Sequence, residues 1–88
     1  MARKTTKAPL GKTLRSRGHR ALIAILVSAR RRAGMTQREL AARIRRPRSF
    51  VGRMEAGERR IDVIEFIQIV RAVDGDPKEL FGKLVECQ

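Results

Sequence analysis

Apolar residues recur every three or four positions over most of this chain, a spacing typical of amphipathic helices. Residues 36–57 read TQRELAARIRRPRSFVGRMEAG and contain two such stretches, separated by a basic turn. We predict that the first helix of this pair begins at Thr36, because Thr36 and Glu39 have the spacing of a capping box. Its buried face consists of Leu40, Ala41 and Ile44.

The second helix of the pair is predicted over residues 47–56. Pro47 cannot continue a helix from upstream but suits the first turn of a new one, so the break falls within the basic turn. Val51 and Met54 are expected in the core, and Gly57 is expected to end the helix as a C-cap. The exposed face consists of Arg48, Ser49, Gly52 and Arg53.

Three more helices are predicted around this pair. One precedes it, beginning at His19 or Arg20 and stopped by Gly34. The next follows Asp62 as its N-cap and is apolar over more than half of its circumference, so it is either the central core helix or partly an interface. We expect Gly75 to end that helix. The last helix begins with a cap and a proline, and its apolar stripe, either core or dimer interface, consists of Leu80, Phe81, Leu84 and Val85.

The charge of the chain points to a polyanionic partner. Lysine and arginine number 21 against nine acidic residues, which gives a net charge of +12 on 88 residues. The positive charge is concentrated in residues 1–60, whereas residues 61–88 contain more acidic than basic side chains. With no Trp or Tyr to anchor a basic helix on lipid, nucleic acid is favoured over a membrane surface.

The domain organisation follows from the same patterns. Residues 1–18 are basic and lack a helical period, so we predict a flexible arm that is either simply solvated or contacts DNA phosphates or the minor groove. Residues 19–88 form the single folded domain. We find no apolar run of 18 residues and no signal peptide, and the lone Cys87 fits a reducing compartment. The expected localisation is cytoplasmic, at the nucleoid.

No residue pattern points to catalysis. The sequence shows no nucleophile paired with a general base and no paired catalytic carboxylates. It also shows no residues at the spacing of metal ligands and no nucleotide-binding loop, so we predict no enzyme activity, metal or cofactor. No small-molecule ligand is evident either. Function is therefore expected to come from binding.

The positions that carry a family pattern are Arg30, Gly34, Thr36, Gln37, Leu40, Ala41, Ser49, Val51, Met54, Glu55, Gly57, Arg60 and 63–73. At these positions, residues 26–84 resemble the Cro/C1-type (XRE-like) family of bacterial and phage regulators. The resemblance implies an all-α, compact five-helix bundle of the lambda-repressor-like type, whose second helix of the pair enters the DNA major groove. One departure concerns the turn, where the family usually has Gly and a small apolar residue and this chain has Arg45-Arg46-Pro47.

Site residues follow from this resemblance and from the predicted exposed face. The base-contacting candidates are the exposed residues Arg48, Ser49, Gly52 and Arg53. The resemblance also implies an ion pair between Arg30 and Glu55, because the family's arginine at this position pairs with a glutamate late in the helix that enters the major groove, called the recognition helix. Phe50 is assigned to packing. The phosphate-contacting candidates are Thr36, Gln37, Arg38, Arg45, Arg46, Arg59 and Arg60.

The expected function is a sequence-specific regulator of transcription that binds double-stranded DNA. We predict a repressor that acts as a homodimer through its C-terminal helices on an inverted-repeat operator. Three alternatives stay open. The chain could be an antitoxin or restriction-modification controller with this fold, a protein-interaction module that keeps the helix-turn-helix as scaffold, or an architectural protein that binds all DNA sequences equally.

Overall fold

A computed structural model describes residues 14 and 16–87, and these residues contain five helices and no strand. The predicted all-α bundle is confirmed. In the described part of the chain, no helix combines the length and the apolar character needed to span a lipid bilayer. The helices are α1 (Arg17–Arg32), α2 (Gln37–Arg43), α3 (Arg48–Glu55), α4 (Val63–Ala72) and α5 (Pro77–Glu86).

Helix α1 begins earlier than the sequence pattern indicated. Ser16 is its N-cap, and the Ser16 hydroxyl accepts a hydrogen bond from the His19 N–H at 3.1 Å. Arg17 and Gly18, which we had assigned to the arm, are therefore the first two helical residues. The remainder of the predicted arm lies almost entirely outside the described residues.

Helices α2 and α4 begin at the predicted residues because both have complete capping boxes. The Thr36 hydroxyl accepts from the Glu39 N–H at 3.0 Å, and the Glu39 carboxylate accepts from the Thr36 N–H at 2.8 Å. Asp62 and Glu65 make the same reciprocal pair at the start of α4. At 76–77 an aspartate cap followed by proline begins α5, as predicted.

Helix α3 begins one residue later than predicted, at Arg48. Pro47 is the N-cap residue, with an extended backbone and no side chain that could accept a capping hydrogen bond. Its carbonyl oxygen instead accepts from the Phe50 N–H at 2.9 Å. Gly57, with a φ of 77°, follows the C-cap Ala56, so the predicted end of this helix is correct within one residue.

Helix α4 ends differently from the prediction. Asp74, rather than Gly75, has the left-handed backbone, with a φ of 60°. The Gly75 N–H donates to the carbonyl oxygen of Val70 at 2.9 Å, which closes a Schellman motif. A Cβ atom on Gly75 would lie 3.0 Å from a methyl carbon of Val70, so close packing rather than backbone conformation favours glycine here.

The turn between α2 and α3 keeps the geometry of a glycine turn although no glycine is present. Arg45 has a φ of 58°, in the left-handed region that disfavours side chains with a Cβ atom. The Arg46 N–H donates to the Ala41 carbonyl at 3.0 Å, and the Arg45 N–H donates to the Ala42 carbonyl at 3.2 Å. The Arg45-Arg46-Pro47 sequence therefore forms a hydrogen-bonded turn whose conformational cost falls on Arg45.

Replacing Arg45 by glycine is expected to stabilise the fold by about 0.5–1 kcal/mol. The left-handed conformation costs an L-residue about 1–2 kcal/mol, which outweighs the extra chain entropy that glycine loses on folding. Urea denaturation measures the difference. Asp74→Gly is the matched control with a smaller gain, because aspartate tolerates this conformation better than arginine. A lower midpoint for Arg45→Gly would contradict the assigned strain.

The core lies between α1, α2, α3 and the inner face of α4. Leu26, Leu40, Val51 and Met54 are completely buried there. The rest of the core cluster comes mainly from α4 and consists of Ala41, Phe50, Phe66, Ile69, Val70 and Val73. Of the two alternatives that the sequence left open for α4, its buried residues favour the central core helix. Helix α5 has no buried residue.

A part of the apolar surface of α4 and α5 is not covered. Val63 and Ile64 at the start of α4 are 65% and 62% exposed, and Phe81 and Val85 on α5 are 50% and 55% exposed. Phe81 packs edge-on against Phe66 with ring centroids 6.1 Å apart. Helix α4 therefore supplies buried core residues, whereas α5 packs the partly buried Leu80 against them. Both helices also present apolar side chains to the surroundings.

Candidate nucleic-acid interface

Helix α3 presents three of the four predicted base-contacting residues to the solvent. Arg48, Ser49 and Arg53 are exposed, while Gly52 is half-buried. A Cβ atom on Gly52 would meet only the side-chain oxygen of Gln37, at an ordinary contact distance of 3.7 Å. On the opposite side of the helix, buried residues fix its position against the core: Phe50, Val51 and Met54.

A buried ion pair fixes α3 to α1. Arg30 donates from Nε to Oε2 of Glu55 at 2.7 Å and from Nη2 to Oε1 at 2.9 Å. The side chains of Arg30 and Glu55 are only 9% and 8% exposed. Arg30 also donates to the Met35 carbonyl oxygen at 2.8 Å, just before α2. The pair implied by the family resemblance is thus present, and it is bidentate and buried.

The pair shifts the pKa values of both partners toward the charged forms. Burial by itself raises the pKa of Glu55, but hydrogen bonds from Arg30 and Gln37 and the positive charges of Arg30 and Arg31 lower it below its ordinary value. The hydrogen bond to Glu55 raises the pKa of Arg30, in spite of burial. Both groups therefore stay ionised at neutral pH.

Gln37 connects this buried pair to the exposed face of α3. Its Nε2 donates to Oε1 of Glu55 at 2.8 Å, which fixes the orientation of the amide. The amide oxygen then accepts from Nη1 of Arg48 at 3.4 Å. Gln37 thus holds one of the predicted base-contacting arginines, a role that the sequence analysis missed. Its predicted phosphate contact stays a prediction.

A second group of side chains, which we call the Phe50 cluster, joins four segments of the chain. It consists of Arg46 from the turn, Phe50 from α3, Arg59 from the loop after α3, and Glu65 from α4. The Cζ atoms of Arg46 and Arg59 lie 4.6 and 4.3 Å from the centre of the Phe50 ring. Phe50 is buried, as predicted, but its ring also supports two of the predicted phosphate-contacting arginines.

Glu65 is the residue of this cluster that the sequence linked only to the Asp62 cap of α4 and not to the arginines. Its carboxylate accepts from Nη2 of Arg46 at 3.4 Å and from both terminal nitrogens of Arg59, at 3.1 and 3.3 Å. The hydrogen bond from Arg59 lowers the pKa of Glu65, and it outweighs the opposite effect of burial. A capping-box glutamate is ordinarily assigned a local role only, so no signal in the sequence linked it to the arginines.

The other predicted phosphate-contacting residues lie on the surface around α2 and the loops beside α3. The Thr36 hydroxyl accepts the capping hydrogen bond of α2. Thr36 therefore stands at the N-terminal end of that helix, where free backbone N–H groups favour an anion. The remaining members of this set are exposed arginines: Arg38, Arg45 and Arg60.

Comparison with known proteins identifies the arrangement. The helix-turn-helix family model matches residues 26–80, which is more than half of the chain. The chain belongs to the Cro/C1-type (XRE-like) helix-turn-helix family. This family consists of DNA-binding regulators of transcription, and in this member the matched residues run from α1 to the first turn of α5. No curated protein matches the chain.

Several solved structures share this fold. An XRE-family like protein from Pseudomonas syringae pv. tomato str. DC3000 is 49% identical, with a TM-score of 0.75, over 78% of this chain and 84% of that chain. The restriction-modification controller C.AhdI from Aeromonas hydrophila is 29% identical, with a TM-score of 0.64, over 70% of this chain and 94% of that one. The controller C.Esp1396I, solved as a tetramer with its natural 35 base-pair operator, is 19% identical, with a TM-score of 0.73, over 82% and 95%.

This family member also contains a buried histidine on α1, away from α3's exposed face. His19 is 9% exposed, and its Nε2 atom has no hydrogen-bond partner within the described part of the chain. Burial and the nearby charge of Arg60 lower its pKa below the ordinary value of 6.5. Arg20 and Glu55 line the same surface cavity, and Glu55 is already paired. The fold therefore favours neutral His19.

We expect the stability of the protein to fall between pH 7.5 and pH 5. Because the pKa of folded His19 is lowered, the unfolded chain takes up the proton first, so stability is full above 6.5 and decreases as the pH falls below it. Thermal melts across this range measure the effect. His19→Phe, which keeps an aromatic ring and cannot titrate, should remove most of the decrease. An unchanged decrease in that variant would assign it to another group.

Proposed function

We propose that the protein is a sequence-specific regulator of transcription that inserts α3 into the DNA major groove. The observation that carries the proposal is the exposed face of α3, whose arginines stand on a helix fixed by a buried ion pair. Arg48 and Arg53 each have the donor geometry to bind guanine O6 and N7, a contact worth about 1–3 kcal/mol of discrimination. Ser49 is a less selective reader, and Gly52 permits close approach to a base.

Phosphate contacts are proposed on both sides of this face. Gln37 and Thr36 stand at the beginning of α2, where helix N–H groups favour a phosphate. On the other side, Arg46 and Arg59 belong to the Phe50 cluster, and Arg60 follows in the same loop. Such contacts supply affinity and fix the register, without reading sequence. The two arginines that complete the proposed set are Arg38 and Arg45.

A homodimer is proposed to present two copies of α3 to an inverted repeat. Support comes from the uncovered apolar side chains of α4 and α5, in the part of the chain that lacks excess positive charge. In a two-fold dimer of this fold the recognition helices stand about 34 Å apart, one turn of DNA. A further support is the controller C.Esp1396I, a protein of this fold that was solved as a tetramer in complex with its natural 35 base-pair operator. We propose repression as the mode of regulation, with the bound dimer occluding a promoter.

A restriction-modification controller is the second candidate. The observation that favours it is the 29% identity to C.AhdI over 94% of that chain. Genes for an endonuclease and a methyltransferase beside the gene of this protein would support it. Their absence would favour a repressor of other genes.

The test of the proposed function is selection of duplex DNA from a random pool at near-physiological salt, followed by sequencing. We expect a palindromic motif with half-sites about one helical turn apart. Retention of DNA without a shared motif would overturn sequence-specific binding. It would favour the architectural or protein-interaction alternatives instead.

Val85→Glu is expected to convert the dimer to a monomer. Val85 is 55% exposed, so the charge should leave the fold intact while opposing burial of α5 against a second copy. Sedimentation equilibrium should give half the mass, and affinity for the selected palindrome should fall at least tenfold. Lys83→Glu on the exposed side of α5 is the control and should change neither. A mass unaffected by Val85→Glu would exclude this interface.

A further inference from the structure

The exposed face of α3 has two long edges, and each edge lies beside different side chains. Arg48, Gly52 and Glu55 recur at intervals of four and three, so they share the edge beside Gln37. Phe50 lies across the helix from that edge, because each residue advances the helix by about 100°. A helix in the major groove has a phosphate backbone on either side. If α3 lies in the major groove as proposed, the Phe50 cluster is on the side of the second backbone.

Two arginines of the cluster converge on one oxygen atom. Arg46 and Arg59 each place a terminal nitrogen within hydrogen-bond distance of Oε2 of Glu65, at 3.4 and 3.3 Å. Both guanidinium groups also lie over the Phe50 ring. A shared acceptor and a shared ring therefore hold two like charges side by side.

The cluster carries more positive than negative charge, and the excess is accessible from solvent. Two guanidinium groups face a single carboxylate, which leaves one uncompensated positive charge. The Glu65 side chain is 11% exposed, whereas those of Arg46 and Arg59 are 40% and 32% exposed. Solvent thus reaches both cations more easily than the mostly covered carboxylate.

We propose that Arg46 and Arg59 bind one DNA phosphate together, and that Glu65 is the positioning residue that makes them converge. This inference rests on the proposed function, since it concerns the backbone beside an α3 that lies in the major groove. Without the carboxylate the two cations repel each other and separate. Each arginine is then free to bind a different phosphate. Two guanidinium groups on one phosphate fix the register of α3 more closely than two independent contacts do.

The salt dependence of DNA binding counts the phosphates in this contact. Each neutralised phosphate contributes about 0.9 to the slope of log binding constant against log salt. We would measure this slope on the selected duplex and on a scrambled duplex of the same composition. Arg46→Gln and Arg59→Gln combined should flatten the slope by about 0.9 per protein chain, the value for one phosphate. A decrease of about 1.8 would mean two separate phosphates, and an unchanged slope would mean no contact; either result overturns the proposal.

Glu65→Gln tests the positioning role. Glutamine keeps the side-chain acceptor of the α4 capping box, so the fold should persist, which a urea melt checks. With the arginines released to separate phosphates, the slope should become steeper by about 0.9 per chain. Glu86→Gln makes the same charge change on the exposed end of α5 and should leave the slope unchanged. Equal slopes for the two variants would show that Glu65 has only a structural role.

The two duplexes separate this test from that of the proposed function. If wild-type protein binds both duplexes equally, sequence-specific regulation is overturned. The slopes on either duplex still decide whether Arg46 and Arg59 share a phosphate. If wild-type protein prefers the selected duplex but the double variant flattens the slope by the value for two phosphates, only the shared site fails.

Discussion

Replacing Glu55 by alanine is expected to lower the free energy of unfolding by about 3–5 kcal/mol, because it leaves the buried charge of Arg30 without a partner. The carboxylate also accepts a hydrogen bond from Gln37, so the orientation of that amide is lost as well. Urea denaturation of purified variants measures the change. For a small domain within a chain of 88 residues this is a large fraction of the total stability.

A double variant separates the loss of the pair from the cost of one unpaired charge. Arg30→Met combined with Glu55→Leu fills the space with apolar side chains and should cost less than Glu55→Ala alone. Because the pKa of folded Glu55 is lowered, its stabilising effect is present above the pKa of an unfolded glutamate and is lost as the pH falls through the folded value. Single-variant effects that simply add in the double variant would mean that the pair is not coupled.

The second large effect is expected from Arg53→Ala, which should relax base preference at one position of each half-site. A bidentate contact of arginine with guanine discriminates by about 1–3 kcal/mol, and a dimer on a palindrome uses the contact twice, so the combined loss is about 2–6 kcal/mol. Arg53 is exposed, so stability should not change. Repeating the DNA selection with the variant reads the change directly.

Two other arginine variants are the controls for a loss of base preference. Arg71→Ala removes an exposed charge from α4 and should leave the motif intact. Arg59→Ala should weaken binding to all sequences about equally, because phosphate contacts carry no direct sequence information. If Arg53→Ala returned the wild-type motif, the base-reading face would have to be assigned to other residues. If the Arg53→Ala variant also bound a protein partner as the wild-type protein does, the protein-interaction module would gain support as the alternative function.

The sequence predicted the helices best where a cap depends on residues close together in the chain. The three-residue spacing is enough to predict the capping hydrogen bonds between Thr36 and Glu39 and between Asp62 and Glu65. The start of α1 was missed because Ser16 stands in a basic stretch next to Gly18, with no apolar period to mark it. The left-handed conformations of Arg45 and Asp74 were also missed, because sequence reasoning assigns such positions to glycine or asparagine first.

The contacts around the recognition helix could be predicted only in part. The Arg30 and Glu55 pair is implied by the family resemblance, since both positions match the family pattern. The contact of Gln37 with Arg48 depends on how closely α2 and α3 pack, which no spacing within either helix specifies. The Phe50 cluster joins residues up to 19 positions apart through an aromatic ring and a carboxylate. Each residue has an adequate local explanation, so the sequence did not indicate that they meet.

The carboxylate of Glu55 has a consequence for how the domain opens. It joins α3 to Arg30 of α1 and to Gln37 of α2, so partial opening of any one of these helices leaves a buried charge or amide without its partner. We therefore expect the three helices to unfold as one cooperative unit, with amide hydrogens in α3 exchanging through global rather than local opening. DNA would then meet a recognition helix whose shape is set before the encounter.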